Sequence, residues 1–164
     1  MSPLVAALVL LVVLLLLVLG NALFVAVEFS YLTINRNEVR ARIQAGDRKA
    51  EALDRALSRT STNLSGAQLG ITVTSLIAGY LTAPSVGVLL SSLFGITGLP
   101  EHVVAFAGTT GAFIIVTFVQ MVFGELVPKN WAIAEPSKVA DLVVRPQNVF
   151  MFVFGWLVSL LNLS

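Results

Sequence analysis

The chain has 164 residues, 57% hydrophobic and 12% charged, with a formal net charge of +1. A water-soluble domain carries about a quarter of its residues as charges, so half that share at a mean hydropathy of +0.91 turns most of this surface toward lipid. The absence of cysteine excludes disulfides, thiolate metal sites and thiol catalysis, and the lone His102 leaves little for imidazole chemistry or zinc. No basic patch lies outside one short segment, and no nucleic-acid partner is expected.

Residues 4–19 contain no polar side chain, and the apolar run resumes through Val27. A spanning helix needs about 20 such residues, which predicts a first transmembrane helix over about 4–34. A cleaved signal peptide would carry a basic start and a shorter apolar core. Here the first Lys or Arg is Arg36.

Next comes the one strongly charged segment, with Arg36, Arg40, Arg42, Arg48, Lys49, Arg55 and Arg59. Short loops rich in Lys and Arg stay in the cytoplasm, so this segment is expected inside and the N-terminus outside. Val39, Ile43, Ala50, Leu53 and Leu57 recur at helical spacing, and Gly46-Asp47 reads as a stop followed by a new N-cap. Two short cytoplasmic helices are therefore predicted within about 37–58.

Further apolar stretches cover about 62–94, 103–124 and 147–163. They predict transmembrane helices over about 62–82 and 103–125, joined by an outer connection over 83–102 that has no Lys or Arg. Lys129, Lys138 and Arg145 then return to the inner side, so all basic residues fall on one side. The last helix, about 146–163, is short for a span; it either crosses the membrane or lies in the interface. The fold class expected is an all-α membrane protein in the cell membrane, multi-pass.

Polar side chains inside a span are costly and mark pathways or sites. Asn21 and Glu28 stand two turns apart on one face of the first helix. Ser65, Gln68, Thr72, Ser75 and Gly79 make one polar stripe, and Thr110, Thr117, Gln120 and Gly124 another. Ordinary helix packing explains small residues such as those of the Gly66-to-Gly70 pattern. It does not explain Glu28 and Glu125, since an intramembrane carboxylate costs about 3 kcal/mol. Glu28 late in the first helix, Asn63 and Ser65 at the start of the second and Glu125 at the end of the third are expected at one level near the cytoplasm.

In Gly124-Glu125-Leu126-Val127-Pro128-Lys129, Pro128 has no N–H for the carbonyl four residues back, that of Gly124. A freed carbonyl beside a carboxylate is a cation ligand pair, to which Asn63, Ser65 and Gln68 would add neutral oxygens. Lys129 is then a counter-charge for the empty site or a residue that snorkels to the cytosol. Oxygen ligands without His or Cys select hard cations: Mg²⁺, Ca²⁺ or Na⁺. The ion could be partly hydrated or fully wrapped in protein oxygens.

The stretches Asn21–Phe29, Asn63–Thr72 and Gly124–Lys129, in that order, resemble the transmembrane domain of the CorC/CNNM (cyclin M) magnesium transporters. The resemblance implies three membrane helices, a C-terminal juxtamembrane belt helix, a cytoplasmic C-terminus and a homodimer. It also implies Mg²⁺ efflux coupled to Na⁺ entry, with Mg²⁺ as bound substrate and polar family positions on Glu28, Asn63, Ser65, Gln68, Gly124 and Glu125. Family members continue into a cytosolic, nucleotide-binding CBS-pair domain. That domain is absent from this sequence, which stops at Ser164, and the expectation is a piece of a longer protein. A following cytosolic domain favours the interfacial placement of 147–163.

Glu28 serves in this scheme as a second carboxylate or as the coupling-ion site. A non-transporting dimeric membrane anchor for a cytosolic sensor is the second hypothesis, since Gly-rich faces suit it equally. An enzyme is not expected: two carboxylates could act as acid and base, but no nucleophile or substrate pocket accompanies them.

Overall fold

The computed structural model describes residues 2–163, and every element among them is helical. Helix α1 (Pro3–Thr33) is capped by the Ser2 hydroxyl, which accepts from the Val5 N–H, and carries proline in its first turn. Two short helices follow, α2 (Arg36–Gln44) and α3 (Arg48–Leu57). Between them Gly46 takes φ 85°, a left-handed conformation that glycine adopts without Cβ strain. The Asp47 carboxylate then caps α3 by accepting from the Lys49 and Ala50 N–H groups at 2.9 and 3.4 Å.

Helix α4 (Thr60–Thr82) does not end where Ala83-Pro84 suggests. It passes through a π-helical turn (Ala83–Gly87) into α5 (Val88–Phe94) and a 3-10 turn, so most of the predicted outer connection is helix. The third long helix behaves likewise. Its first part, α6 (Glu101–Val119), enters a π turn (Gln120–Leu126) and continues as α7 (Val127–Ala134), past the predicted end near 125. Each π turn sits beside a proline. The wider i→i+5 turn accommodates the missing N–H that would break an α-helix. Helix α8 (Pro136–Leu163) starts well before the predicted 146 and holds Pro146 in its interior. Four helical runs, Pro3–Thr33, Thr60–Thr97, Glu101–Ala134 and Pro136–Leu163, are long and apolar enough to cross a membrane.

Their outer faces are apolar. Leu16 is 62% exposed, Phe106 74% and Ile114 66%, a surface that only lipid or another apolar partner covers. Inside, α1 is the central post, packed against α4, α7 and α8. Phe24, Val27 and Tyr31 of α1 share one core with Val39 of α2, Leu53 and Leu57 of α3 and Val139 and Val143 of α8. The short basic helices are thus docked onto the bundle by buried apolar side chains.

Two glycines of α4 differ in what they permit. A Cβ on Gly70 would lie 2.5 Å from the Phe24 ring, which Phe150 holds from the other side at a 4.7 Å centroid distance. A Cβ on Gly66 would meet the flexible thioether of Met151. Gly70→Ala is therefore expected to cost about 2 kcal/mol through overpacking of a pinned ring. Gly66→Ala should cost clearly less, because Met side chains repack readily. Mixed-micelle unfolding of the two variants checks this, and equal losses would contradict it.

Arg42 ties the α2–α3 corner to α8. Its guanidinium donates to Asp47 at 2.7 and 3.0 Å and to Asp141 at 2.7 Å. The hydrogen bond to Asp141 leads in raising the Arg42 pKa. The hydrogen bond from Arg42, helped by the Lys49 and Ala50 N–H groups, holds the Asp47 carboxyl below its ordinary value. The folded state thus binds this proton less tightly than the unfolded chain. The contribution is complete above the unfolded carboxyl pKa of about 3.9 and fades as pH falls through the lower folded value. Wild type should melt higher than Asp47→Asn near neutral pH, and the gap should close on acidification. A pH-independent gap in melting temperature would show that the carboxylate charge is irrelevant.

Candidate cation site

Asn21 is fully buried and links α1 to α4 and to the π turn that follows α6. Its Nδ2 donates to the Gly124 carbonyl at 3.0 Å. Its Oδ1 accepts from the Thr74 and Ser75 hydroxyls at 3.0 and 3.1 Å. Gln120 Nε2 lies 3.4 Å from Ser75 Oγ, and Gln120 Oε1 is buried without a hydrogen-bond partner. A Cβ on Gly124 would crowd the site, approaching Gln120 at 3.1 Å and Asn21 Nδ2 at 3.3 Å.

The Gly124 carbonyl is available for this contact because the residue four positions on is Pro128. The π turn that spans Gln120–Leu126 places Gly124 and Glu125 together, the first buried and the second exposed on the single chain. Glu125, Ser75, Thr117 and Gln120 line an open cavity of about 340 Å³, with Ala78 and Val116 among its apolar lining. Among the described residues no three His, Cys, Asp or Glu side chains converge. A cation here would meet one carboxylate and several neutral oxygens, a set suited to a hard ion.

The chain matches the family described as Cyclin M transmembrane N-terminal domain over residues 11–164. It belongs to that family. Among relatives of this Cyclin M domain, it is 41% identical over 143 residues to UPF0053 protein MT1890 of Mycobacterium tuberculosis, covering 87% of this chain and 31% of that protein. It is 40% identical over 129 residues to UPF0053 protein YugS of Bacillus subtilis, covering 77% and 29%. It is 28% identical over 142 residues to UPF0053 inner membrane protein YfjD of Escherichia coli, covering 85% and 30%. The chain spans about a third of the length of the curated relatives it matches.

The candidate ligands named from sequence fall into separate places in this Cyclin M domain. Gly124 and Glu125 share the π turn. Asn63 is 6% exposed with its amide committed elsewhere: Nδ2 donates to the Ala56 and Arg59 carbonyls at 3.0 and 3.1 Å. Gln147 Nε2 of α8 donates to the Asn63 carbonyl at 3.2 Å. Ser65 Oγ donates to Asn162 Oδ1 at 2.9 Å, and Gln68 is exposed. Glu28 is half-buried, and among the described residues no ion pair involves it. Lys129 Nζ sits 4.7 Å above the Phe29 ring, a cation–π contact rather than a pairing with either glutamate. Around the Gly124 carbonyl stand instead Asn21, Ser75 and Gln120. Sequence reasoning placed all three on polar helix faces but did not choose them as ligands.

Proposed function

We propose that this Cyclin M domain moves Mg²⁺ across the membrane, outward and driven by Na⁺ entry, as the domain of a homodimer. The observation that carries the proposal is the π turn at Gln120–Leu126, which sets the Glu125 carboxylate at the cavity and, next to it in the chain, the buried Gly124 carbonyl that Pro128 leaves without an α-helical N–H. Mg²⁺ is usually held by one or two carboxylates with waters completing its shell. Glu125 supplies the charge, and the Gly124 carbonyl with Ser75 and Gln120 supplies neutral oxygens. Glu28, two turns from Asn21 toward the basic helices, serves as a second carboxylate on the ion's path.

We infer a topology of three spans with a belt. Gln147, Met151 and Asn162 of α8 all meet α4 within Asn63–Gly66. A helix running alongside α4 would advance about 22 Å over those residues, so this pattern supports α8 crossing the bundle at one level, in the interface. The basic side would then be cytoplasmic, with the N-terminus outside.

Liposomes containing the protein and a magnesium-sensitive dye test the proposal. Mg²⁺ flux that grows with an opposing Na⁺ gradient is expected, and liposomes with protein that leak no faster than empty ones would refute it. A purely anchoring domain has less support, because Gly66 and Gly70 already face Met151 and Phe24 of the same chain.

A further inference from the structure

A cavity of about 660 Å³ lies where α3, the start of α4 and α8 meet, away from the π turn. Arg55 and Arg59 line it, with Thr62 and Asn148 as polar neighbours and Phe152 and Trp156 on the α8 side. No acidic side chain lines it among the described residues. Elsewhere in this segment Arg42 is ion-paired with two aspartates, and Arg36 donates to the Leu57 carbonyl and the Thr60 hydroxyl. Neither Arg55 nor Arg59 has an ion-pair partner among the described residues. The cavity is therefore bordered by two exposed guanidinium groups with no carboxylate partner among the described residues.

Its other wall has the opposite character. Phe152 is 91% exposed and Trp156 70%, large apolar groups that need acyl chains or another apolar cover. Trp at such a boundary presents an apolar body to hydrocarbon and an N–H to headgroups. A ligand that satisfies both walls is anionic at one end and apolar at the other. We propose that this cavity binds the phosphodiester headgroup of an anionic membrane lipid. Arg55 and Arg59 take the phosphate oxygens, Asn148 and Thr62 take the polar headgroup, and the chains lie over Phe152 and Trp156. Guanidinium groups suit this role because their fork of donors matches two phosphate oxygens at once. The site is distinct from the cation cavity and does not depend on the transport proposal.

Trp156 is a built-in reporter once the other tryptophan is removed in a Trp131→Phe background. The full chain in detergent is titrated with phosphatidylglycerol or phosphatidylcholine carrying brominated chains, and quenching is followed. Quenching by phosphatidylglycerol is expected at a roughly tenfold lower mole fraction, given two basic side chains at the surface. Arg55→Gln with Arg59→Gln should erase that preference, whereas Arg40→Gln, on the exposed face of α2, should leave it. Lysine at both positions should retain much of it, so a retained preference in that pair supports the proposal even if the glutamine pair folds poorly. Equal quenching by the two lipids, or a preference that survives loss of both arginines, overturns the proposal. Displacement of phosphatidylglycerol by millimolar inorganic phosphate also overturns it, by making the cavity a site for free anions.

Discussion

Replacing Asn21 with leucine, which keeps the branched skeleton but not the polar atoms, is expected to destabilise the bundle by about 2 kcal/mol. The estimate follows from what the amide leaves behind. The Gly124 carbonyl loses its side-chain donor, and Pro128, four residues on, offers no α-helical N–H in its place. A buried unsatisfied carbonyl costs about 1–3 kcal/mol. The hydroxyls are better insured. Thr74 also donates to the Gly70 and Ile71 carbonyls at 2.8 and 3.1 Å, and Ser75 keeps Gln120 as a neighbour. Membrane hydrogen bonds average nearer 0.6 kcal/mol in measured cycles, so most of the loss comes from the orphaned carbonyl. Unfolding in mixed micelles gives the number, with lipid-facing Leu16→Ala as a reference expected near zero. A loss for Asn21→Leu no larger than the reference would mean that Gly124 finds another donor.

The second large effect is functional. Glu125→Gln is expected to reduce Mg²⁺ flux in liposomes below about a tenth of wild type while leaving the melting curve in place. The fold should survive because Glu125 is exposed, forms no ion pair among the described residues, and glutamine has a similar helix propensity. The flux should not, because a tenfold loss needs only about 1.4 kcal/mol. Removing the one negative charge facing a divalent ion outside bulk water costs more than that. Calorimetric titration with MgCl₂ should lose its heat in parallel. Full flux in Glu125→Gln would move the ion's path away from the π turn altogether.

The helices of this domain were legible because lipid imposes one rule, a long apolar run with its backbone bonded internally. Their ends were less so. The predicted helices stopped near 82 and 125, just short of Pro84 and Pro128, yet both continue past those prolines through π turns. That difference carries into the site. With the third helix ended near 125, Glu125 falls level with Asn63 at the start of α4. With the helix running on to Ala134, Gly124 stands across from Ser75, well inside α4. The proline-freed carbonyl could be derived because it is a local consequence of one residue type. Ser75 and Gln120 stood in the polar stripes, but choosing them required knowing how far each helix slides past its neighbours. No periodicity in a single sequence encodes that offset. Asn63 illustrates the same limit in part: its amide donates to the nearby Ala56 and Arg59 carbonyls, while its oxygen accepts from Gln147, a contact that depends on where α8 crosses.

The carboxamide of Asn21 has two chemically different ends on one rotatable bond. As it stands, the nitrogen faces Gly124 and the oxygen faces two hydroxyls. Hydroxyls accept as well as donate, so a half-turn of this one group would be tolerated by Thr74 and Ser75. It would replace an N–H that repels a cation with an oxygen that attracts one. Binding of a cation at the Gly124 carbonyl would then be coupled to the orientation of a single side chain, with no shift of the backbone around it. Asn21→Asp, which offers oxygen at both ends, should bind Mg²⁺ more tightly and release it more slowly; weaker binding would rule such a toggle out.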